Sequence, residues 1–187
     1  MRILVFVFSL WTAVSAACAG DISKNPSVSL GDEKLFLAYV AGGTNTDVLL
    51  NEYIRKDESL DKWKVLFAVR YVRSAKSVDE VVERWKAFVS QVKSPGKAMR
   101  EDEGSSSSDR RFALSIRPPG DAYLEFNQMR FVPGPNGKGV IYYQAAVRFD
   151  PSSESDSMKG YLKHGAFARE LESLTLQPIE KMPKQTE

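Results

Sequence analysis

Apolar residues alternate or cluster in six short stretches of the chain, and each stretch predicts a β-strand. The first two, at residues 35–41 and 47–55, flank the turn-forming cluster Gly42-Gly43-Thr44-Asn45 and predict a hairpin. The third, at 64–73, carries apolar residues on both faces, so we expect a central strand covered on both sides. The last three stretches lie at residues 110–117, 122–132 and 139–149. Proline- and glycine-rich turns separate these three and predict an antiparallel meander.

The stretch at 122–132 changes phase along its length. Under a two-residue period, Leu124 falls on one face and Met129 on the other. An extra residue in a strand produces such a shift, so the pattern predicts a β-bulge near Asn127 and Gln128.

Two helices are predicted. Between Ser77 and Lys93, apolar residues recur at the three-and-four spacing of one helix face: Val78, Val81, Val82, Trp85, Phe88, Val89 and Val92. Ser77 and Glu80 have the spacing of a capping box, which predicts where this helix begins. A weaker period predicts a second helix at about 156–172.

Polar segments divide the chain. We predict a signal peptide at 1–19, a flexible spacer at 20–33, one folded domain at 34–176 with a mobile loop at 94–109, and a C-terminal tail at 177–187. The loop contains a run of charges and then four serines, which bury too little apolar area to order themselves.

The order β-β-β-α-β-β-β-α predicts an α+β fold in which an antiparallel sheet of about six strands is layered with helices. The alternative is a cone-shaped α+β fold with a curved sheet. A curved sheet would enclose a pocket and favour ligand binding.

The N-terminus has the pattern of an export signal. One arginine precedes an apolar stretch from Ile3 to about Val14, and small residues suited to signal peptidase follow it. We therefore expect a periplasmic or secreted protein. Cys18, the single cysteine, gives an alternative in which the mature chain is lipid-anchored, although Ser15 stands where lipoprotein signals usually carry an aliphatic residue.

Charge and length exclude several classes of function. Lysine and arginine number 26 against 24 acidic residues, and the signs are mixed, so the chain lacks the basic surface of nucleic-acid-binding proteins. No stretch reaches the roughly 20 apolar residues of a transmembrane helix, so we expect membrane contact only if Cys18 is lipidated.

Catalytic and metal chemistry have few candidate residues. His164 is the single histidine, so a Ser-His-acid triad lacks its usual sequence context, and a zinc site lacks ligands. We predict no metal and no cofactor.

Two acids interrupt strand patterns and are the candidates for binding or acid-base chemistry. Glu125 lies between Leu124 and Phe126, and Glu52 lies in the second strand stretch, so both side chains are candidates to face a groove. The simpler interpretation is that each faces solvent or pairs with an arginine. With Asn127 and Trp63, they form the set of candidate binding residues.

Trp63 ends the acidic link that joins the second and third strands. Leu60 and Trp63 are predicted to close one end of the core. The alternative is that an exposed edge of Trp63 belongs to a docking patch.

Three segments carry a resemblance to known proteins: EYIRKDESLDKW at 52–63, AYLEFNQMRF at 122–131 and GKGVIYYQ at 137–144. They resemble a group of exported bacterial proteins without assigned function and, more distantly, the layered α/β/α fold of the PsbP-like and DcrB-like proteins. Arg55 stands where that group is expected to carry proline. The resemblance implies a fold, an exported setting and an accessory role, with no catalytic residues to transfer.

Our leading hypothesis is an exported, non-enzymatic accessory domain that binds an envelope protein, with the 94–109 loop near the contact surface. A small-molecule carrier is the first alternative. A carboxylate-dependent hydrolase using Glu125 or Glu52 is the second.

Overall fold

The structure is a computed structural model of the 187-residue chain. It describes residues 21–94, 97–117, 123–150 and 167–182. The predicted signal peptide, Cys18, His164 and residues 156–166 of the predicted second helix lie outside the described residues.

The described residues form an α+β fold dominated by one antiparallel sheet, which is curled into a half-barrel and carries two short helices. The strands are β1 (Ser27–Leu30), β2 (Glu33–Ala41), β3 (Val48–Ile54), β4 (Val65–Val72), β5 (Ala98–Glu101), β6 (Arg110–Ile116), β7 (Leu124–Pro133) and β8 (Val140–Phe149). The helices are α1 (Val78–Gln91) and α2 (Ala168–Ser173). The strand order is β1-β2-β3-β4-β8-β7-β6-β5.

The prediction of about six strands was wrong, because the sheet has eight in the described part of the chain. The six predicted strands are β2, β3, β4, β6, β7 and β8, with the predicted hairpin, central strand and meander. The two additional strands, β1 and β5, are four residues long and lie at the two edges. Edge strands need only backbone pairing with one neighbour, so their sequences carry little hydrophobic signal.

These edge strands correct two predicted polar segments. In the predicted spacer 20–33, β1 pairs with β2, and Ile22 and Leu30 are buried. In the predicted mobile loop 94–109, β5 pairs with β6, and Asp109 accepts hydrogen bonds from Arg111 and Arg130 at 2.9 and 3.0 Å. Backbone pairing organises both segments, together with buried apolar side chains in the first and ion pairs in the second.

The predicted β-bulge near Asn127 and Gln128 was also wrong. The pairing of β7 is continuous from Leu124 to Pro133 against β8 and from Glu125 to Phe131 against β6. The apparent change of phase arises because β7 is covered on both faces, so apolar residues occur at both odd and even positions.

The predicted N-terminus of α1 is confirmed. The Ser77 side chain accepts a hydrogen bond from the Glu80 backbone N–H at 3.2 Å. The Glu80 carboxylate accepts from the backbone N–H of Lys76, one residue before the cap. At the other end, the Val92 backbone N–H donates to the Val89 carbonyl, and the Lys97 ammonium donates to the carbonyls of Val89 and Val92.

The sheet has two faces, and we call the one that α1 packs on the α1 face. On it, α1 covers the β6, β7 and β8 side of the sheet and forms an apolar cluster that we call the α1 cluster: Val72, Ala75, Val78, Val81, Val82, Trp85, Val89, Phe112, Leu114, Ile116, Met129, Phe131, Val140 and Tyr142. A second group on the same face, the Trp63 cluster, comprises Ile22, Phe36, Leu50, Ile54, Trp63, Leu66, Ala68 and Ala146.

The opposite face is covered by α2 and the extended segment at 174–182. The Asn51 side chain exchanges two hydrogen bonds with the backbone of Ile179, at 2.7 and 2.9 Å, and the Tyr143 hydroxyl donates to the carbonyl of Leu176. The tail predicted at 177–187 therefore packs against the sheet at least as far as Met182. These polar contacts use single side chains with no periodic signal, so the sequence did not predict them.

Candidate functional site

A band of six polar side chains crosses the α1 face between the two apolar clusters, and we call it the polar band. Four strands contribute to it: Glu52 from β3, Arg70 from β4, Asn127 and Glu125 from β7, and Gln144 and Arg148 from β8.

Strand register brings these residues onto one face. Glu52 lies opposite Ala68, which lies opposite Gln144 on the next strand, and Glu125 lies opposite Arg148. Directly paired residues in a sheet point to the same face. Residues as far apart in the sequence as Glu52 and Arg148, which are 96 positions apart, therefore lie on one face of the sheet.

Three hydrogen bonds join the middle of the band in series. Arg70 donates to the Gln144 carbonyl oxygen at 2.7 Å, and the Gln144 amide donates to Asn127 Oδ1 at 2.6 Å. The Asn127 amide then donates to Glu125 Oε1 at 3.1 Å. The Gln144 and Asn127 side-chain amides therefore each accept one hydrogen bond and donate another, which fixes the orientation of both amide groups.

Glu125 and Arg148 form one end of the band. Glu125 is 2% exposed, and Arg148 Nε lies 3.5 Å from its second carboxylate oxygen. The Arg148 guanidinium carbon lies 3.6 Å from the ring centroid of Trp63 and 4.2 Å from that of Tyr123. The guanidinium is thus in contact with two aromatic rings, a favourable arrangement for a partly desolvated cation.

Glu52 and Arg70 form the other end, and their contact is looser. Glu52 Oε1 lies 3.8 Å from Arg70 NH2, and the two side chains are 12% and 9% exposed. Glu52 accepts no hydrogen bond from any described residue. Burial raises the pKa of Glu52 above its ordinary value, although the positive charge of Arg70 acts in the opposite direction.

All four residues singled out in the sequence lie in or beside this band. Glu52, Glu125 and Asn127 belong to it, and Trp63 contacts Arg148. Trp63 is buried together with the partly buried Leu60, as predicted for the end of the core. Trp63 is 7% exposed, so little of the residue is available for the alternative docking patch.

Sequence reasoning missed Arg70, Gln144 and Arg148. Each occupies an even-numbered position of β4 or β8, next to buried residues such as Ala68 and Ala146. The available signal was a polar residue within a strand covered on both faces.

The two acids of the band, Glu125 and Glu52, have different partners. Glu125 is held by Asn127 and Arg148, and Gln144 and Asn127 stand between it and Glu52 in the hydrogen-bond series. Among the described residues, no group of three or more His, Cys, Asp and Glu side chains has the arrangement of a metal site. Recognition of polar groups is the chemistry that this geometry supports.

Comparison with protein families matches residues 24–179 to the model of an uncharacterised family. The chain belongs to this family. Comparison with curated proteins found no match, and comparison with solved structures found none either. These findings give no support to the PsbP-like or DcrB-like resemblance.

No helix in the described part of the chain is long and apolar enough to cross a bilayer.

Proposed function

We propose that this chain is an exported, non-enzymatic domain that binds a small polar ligand at the polar band. The observation that carries the proposal is the position of the band, a series of buried and half-buried charged and amide side chains between two apolar clusters. Of the functions inferred from the sequence, the position of the band favours the small-molecule carrier over the hydrolase.

The charges of the polar band are costly to bury. Moving an ion from water into a protein costs several kcal/mol, and ion pairs in a core are often no more stabilising than apolar residues of similar volume. The neighbouring α1 cluster shows that apolar side chains fill this face well. A polar band beside it is therefore better explained by recognition than by stability.

The first test compares Gln144→Leu with Gln128→Leu. Gln128 is the matched control, because it is a second glutamine in the sheet but is buried on the opposite face, where it accepts a hydrogen bond from the Phe167 N–H. Both variants lose side-chain hydrogen bonds, and only Gln144→Leu interrupts the polar band.

The readout is the ligand-induced rise in Tm, with each variant measured against its own unliganded Tm. The panel contains amino acids, hydroxy acids, sugars and nucleosides. We expect at least one compound to raise the Tm of the wild type and of Gln128→Leu but not that of Gln144→Leu. A compound that stabilises all three proteins equally, or a panel without effect on the wild type, would contradict the proposal.

Export is proposed from the N-terminal pattern alone, with delivery to the periplasm or the exterior. The intact mass of the protein recovered from the host envelope tests it. Cleavage near Ala17 or Ala19 would fit a soluble exported protein, and a diacylglycerol-modified Cys18 would fit the lipid-anchored alternative. An uncleaved N-terminus would contradict export by this signal.

Docking to an envelope protein is a second candidate function, because β5 leaves one edge of the sheet open. All four residues of β5 are exposed, and the strand pairs only with β6. Met99, at 43% exposure, is the one exposed large hydrophobic residue in the described part of the chain. The fitting occupant is an extended segment of a partner that adds a strand beside β5.

Site-specific photocrosslinking tests this candidate. A photoreactive residue is placed at position 99 and, as the control, at position 83 on the exposed side of α1. Partner adducts formed only from position 99, and lost when the partner segment carries proline, would support strand addition. Equal crosslinking from both positions would contradict it.

A further inference from the structure

We propose that the Glu52–Arg70 end of the polar band binds the ammonium and carboxylate groups of a small zwitterion, such as an α-amino acid. This inference rests on the proposed function and names the ligand class for the same site. The supporting observation is that the Glu52 carboxylate and the Arg70 guanidinium are nearly buried, yet lie 3.8 Å apart without a direct hydrogen bond.

The Glu52 carboxylate lacks direct hydrogen-bond donors from the described residues. Its side chain is 12% exposed, it accepts no hydrogen bond from any described residue, and its nearest cation is 3.8 Å away. The Glu52 oxygens reach solvent and accept no hydrogen bond from a described side chain or backbone, so they have acceptor capacity that a ligand can use. A ligand ammonium carries three N–H donors and a positive charge, and it would supply what Glu52 lacks.

The Arg70 guanidinium has N–H donors that are not used by the described residues. Its NH1 donates to Gln144, and its other guanidinium nitrogens donate no hydrogen bond to any described residue. The guanidinium carbon lies 5.5 Å from the ring centroid of Tyr142, and the strand pairing of Arg70 with Tyr142 fixes its position. The remaining N–H groups have the planar geometry that binds a carboxylate through two parallel hydrogen bonds.

The two charges together select a zwitterion. A lone anion at Arg70 would be repelled by Glu52, and a lone cation at Glu52 would be repelled by Arg70. A ligand with both groups on neighbouring atoms replaces one ion pair of 3.8 Å with two sets of direct hydrogen bonds. Its net charge of zero also leaves the balance of the band unchanged.

Neighbouring residues favour an apolar side chain on the ligand. Tyr39 lies opposite Glu52 on β2, and Leu50 lies two residues along β3 on the same face. Tyr39 is partly buried against the Trp63 cluster, to which Leu50 belongs. We therefore expect leucine or phenylalanine to bind more tightly than glycine.

Isothermal titration calorimetry with three matched probes tests the inference. L-phenylalanine carries both charged groups, phenethylamine lacks the carboxylate, and 3-phenylpropanoate lacks the ammonium. We expect L-phenylalanine to bind at least about tenfold more tightly than either analogue, because each analogue leaves one buried charge without its partner.

Two conservative variants assign the contacts. Glu52→Gln and Arg70→Lys should each weaken L-phenylalanine binding by about tenfold or more, since the first removes the negative charge and the second removes the bidentate geometry. Gln128→Leu, on the opposite face, should bind like the wild type. Circular dichroism establishes that each variant is folded before titration.

Failure of this inference is distinguishable from failure of the proposed function. Equal binding of all three probes, or equal affinity of Glu52→Gln and the wild type, would overturn the zwitterion assignment. If no amino acid binds but another polar compound stabilises the wild type and not Gln144→Leu, the polar band remains a binding site and only the ligand class is wrong. The absence of any binder overturns both.

Discussion

The α1 cluster and the polar band are neighbours on one face of one sheet, and they are built in opposite ways. In the α1 cluster, Trp85 lies 5.1 Å from Phe112 and 5.5 Å from Phe131 between ring centroids, and Phe131 lies 5.1 Å from Tyr142. Aromatic packing of this kind combines a large buried area with preferred ring geometry.

In the polar band, directional bonds replace this packing. The hydrogen bonds through Gln144 and Asn127 are 2.6 to 3.1 Å long. At one end, Glu125 accepts a hydrogen bond from Asn127, whereas Glu52 at the other end accepts none from a described residue and lies 3.8 Å from Arg70. A buried polar side chain that lacks some of its hydrogen bonds lowers the stability of the fold. The difference indicates that the α1 cluster stabilises the fold, whereas the band retains capacity for a further contact.

The largest expected effect comes from removing the centre of the α1 cluster. Trp85→Ala should lower the free energy of unfolding by about 3–5 kcal/mol, because it deletes a buried aromatic side chain and leaves a cavity. Urea denaturation followed by tyrosine fluorescence and circular dichroism measures the change. A loss below about 1 kcal/mol would show that α1 is not the main support of this face.

The next effect comes from interrupting the polar band. Gln144→Leu should lower the free energy of unfolding by about 1–3 kcal/mol, because Arg70 and Asn127 each lose a hydrogen-bond partner. The same denaturation experiment measures it, with Gln128→Leu as the control for loss of a buried glutamine. If Gln144→Leu is more stable than the wild type, the band is poorly satisfied throughout and not only at Glu52.

A smaller effect concerns the pH dependence of stability. Burial raises the pKa of Glu52 above its ordinary value of 4.5, so the unfolded state releases this proton at lower pH than the folded state does. The contribution of this group to stability is therefore present below the unfolded pKa and lost as pH rises through the folded pKa.

Glu52→Gln should remove the loss of stability that Glu52 causes as the pH rises. The free energy of unfolding measured between pH 4 and pH 7 in about 0.5-unit steps should fall less steeply for Glu52→Gln than for the wild type. Glu125 is unsuitable as the comparison, because its carboxylate accepts a hydrogen bond from Asn127. Identical pH profiles for the variant and the wild type would show that Glu52 is solvated.

The smallest effect is expected on the exposed side of α1. Glu83 pairs with Lys86 at 3.3 Å and its side chain is exposed. Glu83→Ala should change the free energy of unfolding by less than about 0.5 kcal/mol, because solvent screens such pairs. A loss comparable to that of Trp85→Ala would mean that α1 is stabilised by its surface charges rather than by the α1 cluster.

Prediction from sequence succeeded where periodicity was strong. The hairpin, the central strand and the meander follow from alternation and turn residues, and α1 follows from its apolar spacing and Ser77. The candidate residues Glu52 and Glu125 were found because a charge interrupts an apolar strand. Nothing in the sequence indicated that both belong to one hydrogen-bonded band.

Prediction failed where structure depends on a neighbour rather than on local pattern. β1 and β5 exist because β2 and β6 offer backbone partners, and each has only two apolar residues among its four. The continuous register of β7 was mistaken for a bulge because its two faces contact different elements.

The sequence by itself determined the hydrophobic stretches, the α1 cap and the balance of charge, because each depends on residues close together in the chain. Only the tertiary structure decided that the sheet has eight strands and that residues 174–182 cover its second face. It alone brought Glu52, Arg70, Gln144 and Glu125 onto one face, since strand order and register set which distant residues become neighbours.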